Sequence, residues 1–320
     1  MSRNISSSHT RVGQEHFTAA LEDTPIAPVD RIDESQKARS TWADAWESMR
    51  KRPMFWISAV MILIIVIVAV FPSWFAYESP RSCHLVDSHG GPQPGHPFGF
   101  DRQGCDVYAR IIFGAQASVT VGLMATSVVS LFGAIVGALA GFYGGILDAV
   151  VSRIGDIFFA IPTVLGAIVL MTVLPIRTPA TVALVLSLFA WPQIARIMRG
   201  AVLSARSSDY VAASIALGVS NFKILIRHVI PNAIAPVIVI ATVSLGLFIV
   251  AEATLSFLGI GLPNTVMSWG NDIGQARTSI RTSPEVLLFP SAALSITVLS
   301  FLMLGDVVRD ALDPEARARR

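Results

Sequence analysis

The sequence predicts an all-α integral membrane protein with six transmembrane helices and both termini in the cytoplasm. Three observations lead there. The 320 residues are 53% hydrophobic and only 14% charged, with a mean hydropathy of +0.61, whereas soluble domains carry about a quarter charged residues. Six apolar stretches, near 55–71, 117–141, 156–174, 180–197, 232–255 and 286–304, each approach the roughly 20 residues with which a helix crosses a bilayer. With the N-terminus inside, eighteen of the 24 lysines and arginines fall on inner segments, and positive residues favour the cytoplasmic side.

The elements follow in order. Residues 1–40 are rich in Ser, Thr and charge, and read as a disordered cytoplasmic tail. No signal peptide is expected, because the first apolar run starts only at Phe55. Segment 41–72 holds a juxtamembrane helix, with Trp42 and Trp46 one turn apart, and the first span. Residues 73–116 form an extracytoplasmic loop, 117–310 a core of five helices, and 311–320 a cytoplasmic tail. In the second span Gly133, Gly137 and Gly141 repeat every fourth residue, which lets another helix approach closely, from within the chain or from a partner. Trp191-Pro192 predicts a kink late in the fourth span. The net charge of +2 is too small to suggest nucleic-acid binding.

Between the fourth and fifth spans lies "SSDYVAASIALGVSNFKILIRHVIP", residues 207–231, which reads as a small capped hairpin on the cytoplasmic side. Ser207 or Ser208 caps a helix with Asp209 in its first turn, and Gly218 ends it. Tyr210, Ala213 and Leu217 share a face beside Val211 and Ile215, and Ala212, Ser214 and Ala216 keep the rest small. Such a helix can enter a cleft with its backbone close to the walls. Ser220 caps a second helix with Phe222, Leu225, Ile226 and Val229 on one face, and Pro231 opens the fifth span. By periodicity alone this is an interfacial linker.

The pattern resembles the "EAA" loop of ATP-binding-cassette importer permeases, E-A-A-x3-G-x9-I-x-L-P. Ala212-Ala213-Ser214 stand at its first three places, Gly218 at its glycine and Pro231 at its proline, while the glutamate is absent and His228 replaces the isoleucine. "HPFGFDRQGCDVYARIIFGAQASVTVG" (96–122) and "EATLSFLGIGLPNTVMSWGNDI" (252–273) resemble two further segments of peptide-type permeases, in the family's order, as do "WPQIARIMRG" and "DYVAA". The chain is thereby identified as resembling the second (C-type) membrane subunit of a dipeptide/oligopeptide (peptide/nickel) importer, over about residues 50–310.

The resemblance implies a type I importer architecture (MetI-like) in a bacterial plasma membrane. It implies that Asp209, Tyr210, Ala212, Ala213, Ser214, Leu217, Gly218 and Pro231 belong to the loop that docks into the ATPase. It further implies a homologous second permease, two ATPase subunits or domains holding ATP and Mg, and an extracytoplasmic peptide-binding protein. No catalytic, cofactor-binding or metal-binding residue is expected in this chain.

Charges inside spans are costly and need a reason. Arg153 and Asp156 are expected to pair across one helical turn near the inner end. Glu252 lies near the outer end of the fifth span, either in the translocation pathway or its gate, or as an interfacial acid bonded to neighbouring backbone. Asp156 and Glu252 are the pathway candidates. No histidine falls in a span, which argues against a haem-carrying subunit, and no G-x-x-x-x-G-K-[ST] loop occurs, so the chain does not hydrolyse ATP alone.

Cys83 and Cys105, the only cysteines, share the outer loop with His84, His89 and His96. A soft-metal site from those donors is weighed against a disulfide, and the oxidising face of the membrane favours the disulfide. The family carries arginine where Cys105 stands. Two rival functions are an autonomous ion-coupled secondary transporter, which needs an ionisable midplane site, and a scaffold without transport. Nickel-complex import is a further alternative to peptide import.

Overall fold

The computed structural model describes residues 41–312, and the two tails read from the sequence at 1–40 and 313–320 lie outside them. All regular structure among the described residues is helical.

A short helix α1 (Thr41–Arg50) leads into α2 (Pro53–Val70), which starts with proline at its first position, where the missing N–H does no harm. Trp46 packs edge-on against Phe55 at 5.6 Å between ring centroids. In the isolated chain the side chains of α2 are exposed or half-buried, only Ser58 and Ala69 being buried, so this helix presents its sides to lipid.

The loop between α2 and the next long helix is ordered by its backbone. His84 N–H donates to Gly104 O at 3.0 Å, and the Asp101 carboxylate accepts the Gln103 and Cys105 N–H groups at 2.7 and 2.9 Å. The Cys83 and Cys105 sulfurs are bonded at 2.08 Å. Asp106 then caps α3 (Val107–Tyr143), its carboxylate accepting from Tyr108 N at 3.0 Å. The helix starts well before the apolar stretch at 117, because a cap and a buried ion pair, invisible to hydropathy, hold its first turns.

The third stretch is not one straight span. It is divided into α4 (Gly145–Phe159) and α5 (Thr163–Val173), bent by 82°. Pro162 is the cause: it lacks an N–H and pushes the preceding residue out of the helical region. By contrast α6 (Pro179–Arg206) continues through Pro192, capped by Thr178.

The most extensive helix pairing is α3 with α6, and the glycines allow it. A Cβ at Gly133 would meet Trp191 O at 2.9 Å, one at Gly141 would meet Arg199 O at 2.8 Å, and one at Gly137 would collide with Ala195 O. The small-residue stripe is therefore covered by α6 of the same chain. Helices α10 (Ala235–Phe257) and α12 (Glu285–Leu312) complete the bundle, with the short α11 (Trp269–Ala276) packed between them and α3. Helix α1 rests on α12, and Arg52 donates to Asp310 at 2.5 Å.

Candidate functional site: the 207–231 hairpin and the buried acids

After α6 the chain turns at Ser207 and Ser208 into α7 (Asp209–Ala216). Ser208 stands at the N-cap with extended backbone, but its hydroxyl makes no capping bond, and the Ser207 hydroxyl donates back to Ser204 O at 2.8 Å. The side-chain cap expected from the two serines is thus not formed. The C-terminal end is a complete Schellman motif: Gly218, at φ +74°, donates to Ile215 O at 2.9 Å and Val219 donates to Ser214 O at 3.1 Å. Glycine adopts that left-handed conformation without the steric cost of a Cβ.

One residue anchors α7. Val211 is completely buried, whereas Tyr210, Ile215 and Leu217 are exposed, Leu217 at 83%. Ala212 and Ala213 are also exposed. The face read from the sequence through Tyr210, Ala213 and Leu217 therefore points away from this chain.

The second arm is α8 (Asn221–Ile224), a π-helical turn Leu225–Val229, and α9 (Ile230–Ala233), with Pro231 in the first turn of α9. Ile224, Leu225 and Val229 are buried, but Phe222 and Ile226 are exposed. The expected face of 222, 225, 226 and 229 is corrected here, because the wider π turn shifts the helical phase by which those positions would align.

The acids lie apart. Asp156 pairs with Arg196 at 3.0 Å, not with Arg153 as expected. The Arg196 guanidinium also lies 4.1 Å above the Phe159 ring, which holds it over the α4–α6 seam. Nearby, Arg199 of α6 forms a two-oxygen pair with Asp148 of α4. Glu252 is fully buried. One carboxylate oxygen accepts from Ser118 at 2.9 Å and the other from Ser256 at 2.8 Å. These are side-chain bonds rather than the backbone bonds of the interfacial reading. The two hydroxyls accept in turn from Trp269 and Leu262 N–H groups, so Glu252 ties α3, α10 and the start of α11 together.

Residues 132–318 match the model of the binding-protein-dependent transport system inner membrane component. This chain belongs to that family of membrane transport components. Residues 40–86 of the permease match the N-terminal TM domain of oligopeptide transport permease C. It is 33% identical to the glutathione transport system permease protein GsiD of Escherichia coli O6:K15:H31 over 300 residues, 93% of this chain and 97% of that one. Identity is 35% with the oligopeptide transport system permease protein OppC of Bacillus subtilis, across 88% of this chain and 92% of the relative. It is 32% with the dipeptide transport system permease protein DppC of Alkalihalophilus pseudofirmus, across 95% and 99%.

Arg110 of the permease falls within residues 73–116, the segment read from the sequence as an extracytoplasmic loop. The structure buries it in the first turn of α3, where it donates to one Asp272 oxygen at 2.9 and 2.5 Å, with Asp101 at 3.8 Å. Burial pushes the Asp272 carboxyl above its ordinary range, against the pull of the Arg110 guanidinium. The signal was present in the quoted segments, which carry Asp101, Arg110 and Asp272, but their pairing across 162 positions is a tertiary fact. Cys83 and Cys105 are bonded to each other and so supply no thiolates to the metal site weighed for this loop.

Proposed function

We propose that the permease is the C-type membrane subunit of an ATP-driven importer, passing peptides delivered by an extracytoplasmic binding protein across the bacterial inner membrane. The observation that carries this reading is α7. An eight-residue helix held by one buried valine, with Tyr210, Ile215 and Leu217 bare, is built to be covered by another protein. An ATPase subunit is the partner of that face, through Asp209, Tyr210, Ala212, Ala213, Ser214, Leu217 and Gly218, with Pro231 fixing the return to the bundle. The Asp148–Arg199 and Asp156–Arg196 pairs join α4 to the stretch of α6 that leads into the hairpin, a rigid route for motion from hairpin to bundle.

This subunit performs no covalent chemistry, and ATP with its Mg sits in two ATPase chains or domains. A homologous permease completes the channel, and lipid surrounds both. Both termini are cytoplasmic, as the lysine and arginine distribution supports. Glu252, locked by two serines, acts on the pathway by fixing the outer ends of α3 and α10, and Asp156 by holding α4 to α6. A groove of about 550 Å³ at the outer side, lined by Arg81, Phe113, Gln116, Thr120, Val266 and Met267 among others, is the vestibule through which peptide enters.

The test is reconstitution into liposomes with the partner permease, ATPases and binding protein. Uptake of labelled di- and oligopeptides should require ATP and all subunits. Uptake by this chain alone under a proton or sodium gradient would overturn the proposal, and ATP-driven uptake confined to nickel complexes would replace its substrate. For orientation, a cysteine at exposed Ser220 should react with an impermeant thiol reagent only from the inner side.

A further inference from the structure

We infer that Glu78, His96 and Asp106 form a binding site for one divalent transition-metal ion, of the zinc class, on the outer face of the permease. Three segments converge there: the turn after α2, the outer loop, and the residue that caps α3. One donor atom from each residue lies within 4.8 Å of the other two. The His96 Nδ1 is 3.4 Å from a Glu78 oxygen and 3.4 Å from an Asp106 oxygen. A tetrahedral ion bound at about 2.0–2.1 Å sets its ligand atoms about 3.3–3.4 Å apart. Two edges of the triangle thus already have the length that coordination needs.

The bonding at each donor points the same way. His96 Nδ1 is buried and has no hydrogen-bond partner among the described residues. A lone pair on Nδ1 would face carboxylate oxygens with nothing between them. A cation between the three satisfies all of them at once. The Asp106 side chain is only 3% exposed, and its other oxygen is held by the Tyr108 N–H, so the free oxygen is aimed and not mobile. His96 is fixed by its ring contact with Phe100 at 4.6 Å.

One imidazole nitrogen with two carboxylate oxygens suits zinc, manganese, cobalt or nickel better than magnesium or calcium, which prefer all-oxygen shells. The Glu78 side chain is 40% exposed, which leaves room for water as the fourth ligand. Bound there, the ion would fasten the segment that follows the first span to the N-terminus of α3, one residue from the Cys83–Cys105 bond.

The test uses the full chain in detergent, purified without a polyhistidine tag, stripped with chelator and titrated with zinc. The wild-type protein should hold about one ion per chain, and Glu78→Gln and His96→Gln should each weaken binding about tenfold or more. Glu78 is exposed enough that its variant keeps the fold, which a thermal scan checks. Charging with cobalt(II) should give visible absorption bands in the wild type that both variants lose. Absence of zinc binding by the wild type, or equal binding by all three proteins, overturns the site.

Discussion

Arg110 places two guanidinium nitrogens on a single oxygen of Asp272, at 2.9 and 2.5 Å, and both side chains are buried. The pair joins α3 to α11 and lines a cavity of about 160 Å³ with Asp101 and Gln275. Removing one partner of a buried pair strands the other charge, at a cost of about 3–5 kcal/mol. Arg110→Met should therefore lower the melting temperature in detergent strongly, and Arg110→Met combined with Asp272→Leu should recover part of the loss. Additive losses in the double variant would show that the two residues act independently.

Gly137 lies where any Cβ would collide with the Ala195 carbonyl of α6, whereas Gly200, on the exposed side of α6, faces open space. Gly137→Ala should cost about 1–3 kcal/mol through forced separation of the helices. Gly200→Ala should be neutral or gain up to about 1 kcal/mol from helix propensity. Thermal scans of the two variants check the contrast, and equal effects would mean that α3–α6 packing is not governed by this contact.

Gly218 ends α7 at φ +74° with nothing near its Cα side, so a side chain there is opposed by backbone conformation and not by crowding. Gly218→Val should leave expression and insertion intact and uncouple ATP hydrolysis from transport, because a β-branched residue is poorly tolerated in that conformation. Gly218→Asn, which tolerates it, should keep most of the coupling. Normal transport by the valine variant would remove the docking role from α7.

Cys83 and Cys105 enclose a loop with a sequence separation of 22, for which the chain-entropy account assigns a bridge about 3 kcal/mol. Non-reducing peptide mass spectrometry should find the two linked in protein isolated without reductant. Cys83→Ser with Cys105→Ser should melt earlier by an amount consistent with that figure. Two alkylatable thiols in the untreated wild-type protein would refute the bridge.

What the sequence by itself determined is what the bilayer and the local backbone dictate. A span must be about 20 apolar residues long, so hydropathy located the membrane segments to within a few turns. The positive φ at Gly218 is likewise a local demand that glycine after a short apolar helix announces. Tertiary structure decided everything that depends on which faces meet. The stripe at Gly133, Gly137 and Gly141 suited a partner or the same chain equally well, and only the packing of α6 chose. Asp156 chose Arg196 from another helix over Arg153 one turn away, because the guanidinium is held over Phe159 across the seam. Arg110 could not be matched to Asp272 from the sequence, because the two lie 162 positions apart. Periodicity could not foresee the π turn at Leu225–Val229, which rotated Phe222 and Ile226 outward, nor the 82° bend at Pro162. Glu78, His96 and Asp106 carry no recognisable spacing; the loop's own hydrogen bonds and the Cys83–Cys105 bond bring them together, since convergence of side chains is set by the closed fold and not by the order of residues.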